Sequence, residues 1–315
     1  MELWAEFVGC FIYSWLGIGS AVNQINAIVN NQPTFASGPI QVGFAVSFGI
    51  IIAVSVCGTT SAGHYNPGIT LAQATYRSFP KWKVPFYWLV QIVGGYCASM
   101  AVYYSNRYIF IQVEEVMREQ GVLNELMYTT AGPSGIFAFY LPPGQTYWGA
   151  WLNEFVASLV ACTAYWAAMD PANALVTPRM SVWIIAFAYG VTIWGFGGIL
   201  NTSRDLGGRL WAITVWGTRA NGGRFGAISA LTNFAAMLTA VFLYEVFITD
   251  SRRVVNVESM EHIRLMTNQL KSSETQREAS VEMGTNSSGS SATQRISDVP
   301  SLAPGKRRSG GVEAS

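Results

Sequence analysis

Residues 7–76 read FVGCFIYSWLGIGSAVNQINAIVNNQPTFASGPIQVGFAVSFGIIIAVSVCGTTSAGHYNPGITLAQATY, a stretch without one Asp, Glu, Lys or Arg. A helix that crosses the hydrocarbon core needs about 20 mostly apolar residues, so this run holds two spans. Outward from it, further charge-free stretches cover Val84–Asn106, Leu126–Asn153, Phe155–Met169, Met180–Ser203 and Phe225–Tyr244. Leu126–Met169 holds one span, because Gly132, Pro133, Pro142, Pro143 and Gly144 interrupt its first part. The sum is six, placed near 5–27, 39–60, 84–106, 149–169, 180–200 and 225–248. The fold class is an all-α, multi-pass integral membrane protein whose principal partner is the lipid bilayer.

Composition agrees. Of 315 residues, 50% are hydrophobic and 12% charged, against roughly 25% charged in soluble domains. The net charge of +1 excludes a nucleic-acid binder, which needs a basic face. Residues 1–250 carry 21 charged side chains and residues 251–315 carry 16, so the chain changes character near Asp250. No cleavable signal peptide is expected, since Met1–Glu6 holds Glu2 and Glu6 and no basic residue. Cys10, Cys57, Cys97 and Cys162 all fall inside spans and read as packing residues, not disulfides. Arg77, Lys81 and Lys83 follow span two, Arg179 follows span four, and Arg252 and Arg253 follow span six. The positive-inside rule places these sites and both termini in the cytoplasm, although Arg107, Arg118, Arg219 and Arg224 lie on the other side.

The 1–250 region repeats itself. Trp4-Ala5-Glu6-Phe7-Val8-Gly9 opens span one and Leu152-Asn153-Glu154-Phe155-Val156-Ala157 opens span four. Gly63-His64-Tyr65-Asn66-Pro67-Gly68 follows span two, and Gly198-Ile199-Leu200-Asn201-Thr202-Ser203 follows span five. Gln91 and Asn233 occupy similar places in spans three and six. Repeat one covers 1–110 and repeat two covers 148–250. Three spans per half force opposite insertion, an inverted 3+3 repeat with its site near the bilayer midplane. After each second span comes a short segment of 11 and 13 residues, Asn66–Tyr76 and Asn201–Ile213. Each makes a helix roughly 16–20 Å long, little more than half of a core about 30 Å thick. Two such re-entrant half-helices entering from opposite faces meet in the middle.

These residues resemble the aquaporin, or major intrinsic protein, family over about 4–250. Ser61–Ala72 is similar to that family's first Asn-Pro-Ala box and Asn201–Leu210 to its second. Gly207-Gly208-Arg209-Leu210 and the long third loop resemble the fungal aquaglyceroporin-like branch. The resemblance implies a passive channel for water and small neutral solutes such as glycerol, assembled as a homotetramer in the plasma membrane. No cofactor is implied.

Asn66 and Asn201 suit the N-caps of the half-helices, and each amide also has NH2 donors to present to a pore. Each half-helix brings roughly half a positive charge to its N-terminus, and two facing ends repel cations and hydronium. The first box, Asn66-Pro67-Gly68, has Gly68 where the family has Ala. The second, Asn201-Thr202-Ser203, lacks Pro and Ala. A wider, more polar or more mobile junction is the expectation. Arg204 would be the cation of the outer constriction, since a lone buried Arg is costly unless it lines water or meets carbonyls. The family's offsets add Val46, Tyr189 and Gly198 to that constriction. Asp205 and Arg209 read as a scaffold pair.

Glu6 and Glu154 are intramembrane acids at equivalent positions. The resemblance makes them supports that accept hydrogen bonds from the re-entrant loops, with His64 as a further loop support. No metal-ligand cluster, nucleophile–base pair or phosphate-binding loop is visible, so an enzyme is not expected. Arg107–Tyr147 is a long extracellular loop in which Val113–Met127 is a short-helix candidate. Val254, Val257, Met260, Ile263, Met266 and Leu270 recur at helical spacing and predict an amphipathic cytoplasmic helix within 251–271. The Ser- and Thr-rich 272–315 predicts a disordered tail. Two other classes stay open at this point. One is a structural or adhesion protein with a closed pore, and the other is a proton-coupled anion transporter.

Overall fold

The computed structural model describes residues 1–29, 38–250 and 252–287, and among them all regular structure is helical. Met1–His262 form one compact unit. In chain order it holds α1 (Glu2–Val29), α2 (Pro39–Ser61), α3 (Pro67–Tyr76) and α4 (Val84–Ser105). An insert follows with α5 (Arg107–Glu119) and α6 (Leu123–Leu126). The second half has α7 (Tyr147–Ala168), α8 (Ser181–Phe196), α9 (Thr202–Trp216) and α10 (Gly223–Leu243), which runs into a π-turn at Tyr244–Ile248.

Four helical stretches are long and apolar enough to cross a membrane: Glu2–Asn23, Pro39–Ser61, Lys81–Ser105 and Gly223–Ile248. The fifth, α7, has 22 residues. The sixth, α8, has only 16, about 24 Å at 1.5 Å per residue. It stops short of the expected 200 because Gly197 turns left-handed, φ 65°, and its N–H closes on the Ile193 carbonyl. That stop frees residues 197–200 to run as an extended loop into the membrane.

The helices pack as two interlocked triplets. α1 lies on α2 and α4, α7 lies on α8 and α10, and α2 meets α8 across the halves. Each half-helix crosses over, with α3 against α10 and α9 against α4. Small residues permit the second crossing. A Cβ on Gly95 would stand 2.5 Å from the Ser203 carbonyl oxygen, and one on Gly207 2.6 Å from the Tyr96 nitrogen. Gly94, Ala98 and Ser99 are buried along the same helix.

Two expectations need correction. The insert helix covers Arg107–Glu119, not 113–127, and starts straight after Asn106. Gly121, at φ 73°, separates it from α6. Ile109, Phe110 and Val113 give it a buried face against Ile18, Val22, Phe137 and Trp211. The helix expected after span six, α11, spans Val257–Ser287. It continues through 272–287, where disorder was expected, because Glu274, Gln276, Arg277, Glu278, Ala279, Glu282 and Met283 are sound helix formers. Residues 288–315 lie outside the described residues.

Candidate functional site

The two loops that enter the membrane are held by the two acids. Glu6 accepts from the main-chain N–H of His64 at 3.0 Å and of Tyr65 at 2.8 Å, and from Gln91 Nε2 at 2.7 Å. Glu154 accepts from the N–H of Ile199 at 2.7 Å and of Leu200 at 2.8 Å, and from Ser158 Oγ at 3.2 Å. All are buried. Loop N–H groups at this depth have no water to turn to, and each would cost several kcal/mol unpaired. His64 contributes through its main chain. Its ring packs edge-on against Phe79, with centroids 4.8 Å apart, and its Nδ1 is buried without a hydrogen-bond partner.

The loops end on the capping asparagines. Asn66 Oδ1 accepts from the Gly68 N–H at 2.9 Å, and Asn201 Oδ1 accepts from the Ser203 N–H at 2.9 Å. Their amide nitrogens cross over. Asn66 Nδ2 donates to the Leu200 carbonyl at 2.9 Å and Asn201 Nδ2 donates to the Tyr65 carbonyl at 2.8 Å. The residues supplying those carbonyls, Tyr65 at φ 46° and Leu200 at φ 58°, sit in the left-handed region. Side chains rarely accept that conformation, and each costs about 1–3 kcal/mol. The acids and crossed amides hold it. Each Nδ2 keeps its second hydrogen.

The altered boxes are absorbed by packing. A Cβ on Gly68 would collide with Asn233 Oδ1 and come within 2.8 Å of Met237 Cγ. The missing methyl is therefore occupied by its neighbours and opens no extra space. Pro67 fills the first helical position of α3. Thr202 Oγ1 donates to the Ala230 carbonyl at 3.0 Å, and Ser203 Oγ donates to Asn201 Oδ1 at 2.8 Å. Both hydroxyls are spent internally. The expected wider, more polar junction is not what these contacts build.

Arg204 meets carbonyls, as a buried cation must. Its two terminal nitrogens donate to the Phe137 and Ile136 carbonyls at 2.8 Å each, and its guanidinium lies 4.8 Å from the Phe139 ring centroid. Asp205 and Arg209 form the scaffold pair at 3.0 Å. Asp205 also accepts from the Phe139 N–H at 3.1 Å, and Arg209 donates to the Phe139 carbonyl at 2.8 Å. The insert is thus pinned to α9 by four hydrogen bonds from three side chains.

Outside Arg204 lies a cavity of about 560 Å³, roofed by the insert. Val46, Gly198 and Arg204 line it. Tyr189 does not. It is buried deeper, among Tyr13, Tyr65 and Leu200, and the α8 residue on the cavity wall is Ile193. The two are one helical turn apart on the same face, so counting finds the face and misses the level.

The sequence model of the major intrinsic protein family matches residues 1–218. A relative from Laccaria bicolor, Aquaporin-3, is 42% identical over 272 residues, covering 85% of this chain and 82% of its own. The chain belongs to the major intrinsic protein family. Aquaglyceroporin-9 of Botryotinia fuckeliana is 29% identical over 84% of this chain and 57% of that one. The X-ray structure of the aquaglyceroporin from Plasmodium falciparum shares the fold, with a TM-score of 0.62 at 20% identity, over 78% of this chain and 96% of that chain. Six spans and two re-entrant half-helices are the architecture of this family.

Three residues of this major intrinsic protein carry little or no sequence signal of their place. Tyr13 lines the inner end of the outer cavity, yet in sequence it is one aromatic among many. Ile193 is an ordinary span residue. Asn233 pairs with Gly68 across the two halves, and only the repeat alignment with Gln91 marked it. Among the described residues, no three His, Cys, Asp or Glu side chains gather to hold a metal ion.

Proposed function

We propose that this chain is a passive channel for water and small neutral solutes such as glycerol, closed to ions and protons. One observation carries the mechanism: the crossed amides of Asn66 and Asn201, which hold the N-termini of α3 and α9 towards each other. Each terminus brings roughly half a positive charge. A cation arriving there meets both ends and Arg204 after losing its water, with no acid placed to receive it. A neutral oxygen instead accepts from the remaining amide hydrogens and passes on. Glu6 and Glu154 accept from loop main chain, which supports a structural role and leaves neither acid to relay protons.

The basic residues support an orientation with both termini in the cytoplasm. Arg77 and Arg253, distant in sequence, line one recess with Asp170 and Glu245. Assembly as a homotetramer in the plasma membrane follows the family pattern. Exposed Phe44, Phe48, Trp183 and Val191 suit burial against lipid or a neighbouring copy.

The test is stopped-flow light scattering on proteoliposomes, first with an impermeant osmolyte and then with glycerol. Fast shrinkage, then fast re-swelling in glycerol, is the expected result. Shrinkage without re-swelling restricts the channel to water. Vesicles that behave as empty ones, with the protein intact, would sink the channel reading in favour of a structural role.

A further inference from the structure

The residues that line the outer cavity do not include the asparagine pair, and the one tyrosine among them is Tyr13. α1 contributes Tyr13 as its innermost cavity residue, alongside Val46 and Arg204. Only 4% of Tyr13 is exposed, and its side chain lies beside Asn201. One turn inward from Ile193, Tyr189 is 5% exposed and lies beside Asn66 and close to Tyr13. Both rings belong to the buried cluster that contains Tyr65 and Leu200, whose carbonyls accept from the crossed amides. A molecule leaving the cavity for Asn66 and Asn201 therefore meets these two rings first.

The chemistry at that point is specific. Each asparagine amide has two hydrogens, and one is committed to the facing loop. A phenol both donates and accepts, so each hydroxyl competes with the permeating molecule for the second hydrogen. Water can replace a hydroxyl one for one. A polyol carries a carbon chain as well, and that chain needs the volume a ring occupies. Val46 and Gly198, by contrast, front a cavity of about 560 Å³, which a molecule of glycerol's size does not fill.

We propose that Tyr13 and Tyr189 form a collar at the asparagine junction, and that Tyr13 is the residue that discriminates water from polyols. The tightest step then lies inward of Arg204, on a residue of the first span. The proposal rests on the channel reading and adds where selectivity is set.

The experiment compares wild-type, Tyr13→Phe, Tyr13→Leu and Tyr13→Ala channels in proteoliposomes, each checked for monodispersity. Osmotic shrinkage and re-swelling in glycerol and in a four-carbon polyol are measured side by side. Tyr13→Leu and Tyr13→Ala are expected to raise the polyol-to-water permeability ratio at least about tenfold, a barrier change of roughly 1.4 kcal/mol. Tyr13→Phe keeps the ring and is expected to keep the ratio. Val46→Ala, which enlarges only the outer cavity, is expected to change it less than Tyr13→Leu. An unchanged ratio in both Tyr13→Leu and Tyr13→Ala, or a larger change in Val46→Ala, overturns the collar while leaving the channel intact. Wild-type vesicles no faster than empty ones overturn the channel reading itself, before any variant is compared.

Discussion

Three residues after Asn66 stands Ile69, and three residues after Asn201 stands Arg204. The next pair is Thr70 and Asp205, and four further on come Ala74 and Arg209. Up to the asparagines the two halves agree contact for contact: an acid accepting two loop N–H groups, a left-handed residue, a cap and a crossed amide. Beyond them they diverge. Ile69 is buried in an apolar cluster with Ala72, Trp166 and Met237. Arg204, Asp205 and Arg209 instead reach out to the insert between the halves. The shared part aims two helix ends at one point, which needs symmetry. The divergent part places a fixed cation on one side of that point, which symmetry would have duplicated.

The largest expected effects test the shared part. Replacing Glu6 or Glu154 with Ala orphans two buried main-chain N–H groups. Each group costs about 1–3 kcal/mol, so either variant should lose about 2–6 kcal/mol. Thermal unfolding in detergent reads both. Similar losses sharpen the equivalence of the halves. A large loss in one variant and none in the other breaks it, and would mean that one loop holds its left-handed turn without its acid.

Next come the divergent residues. Asp205→Ala leaves the Arg209 cation buried without its partner, and breaking a buried pair costs about 3–5 kcal/mol. Thr70, the matching residue, holds one bond to the Asn66 carbonyl and receives one from Gln91. Thr70→Ala should cost about 1–2 kcal/mol. The same Asp205 variant should also loosen residues 107–147, because the Phe139 N–H loses its acceptor. Limited proteolysis of that segment, run alongside the unfolding curves, checks the link. Equal losses, or an insert as protected as in wild type, would remove the asymmetry.

How much of this was legible depends on whether local sequence decided it. Charge-free runs and repeated motifs fix six spans, two half-helices, both acids and both caps, because each is dictated by a bilayer that offers no partner to a polar group. Arg204 and the Asp205–Arg209 pair follow from the same cost. Tyr189 did not, since a helical offset names a face and its level shifts by a turn. The early stop of α8 hangs on Gly197, one glycine among 31. The fate of Gly68 was least legible of all, because its neighbour, Asn233, is in the other half of the chain.

That neighbour gives the smallest and sharpest contrast. Each half-helix packs close to a spanning helix of the other half, and each contact requires something small. In the first, the small residue is in the box: Gly68 faces the side chain of Asn233. In the second, the box holds Ser203 and the small residue is on the spanning helix: Gly95 faces the Ser203 carbonyl. Gly68→Ala should cost about 1–3 kcal/mol by overpacking. Asn233→Ala removes the nearer obstacle, whose Oδ1 has no hydrogen-bond partner, at the cost of the Nδ2 bond to the Leu200 carbonyl; measured against that single variant, the double variant should show a coupling of about 0.5–3 kcal/mol. Gly95→Ala should cost a similar amount, and Ser203→Ala should recover none of it, because the obstacle there is main chain. Unfolding midpoints of the two double-mutant cycles decide the matter. Recovery in both would show that the halves meet by the same kind of contact, and recovery in neither that Gly68 is not matched to Asn233.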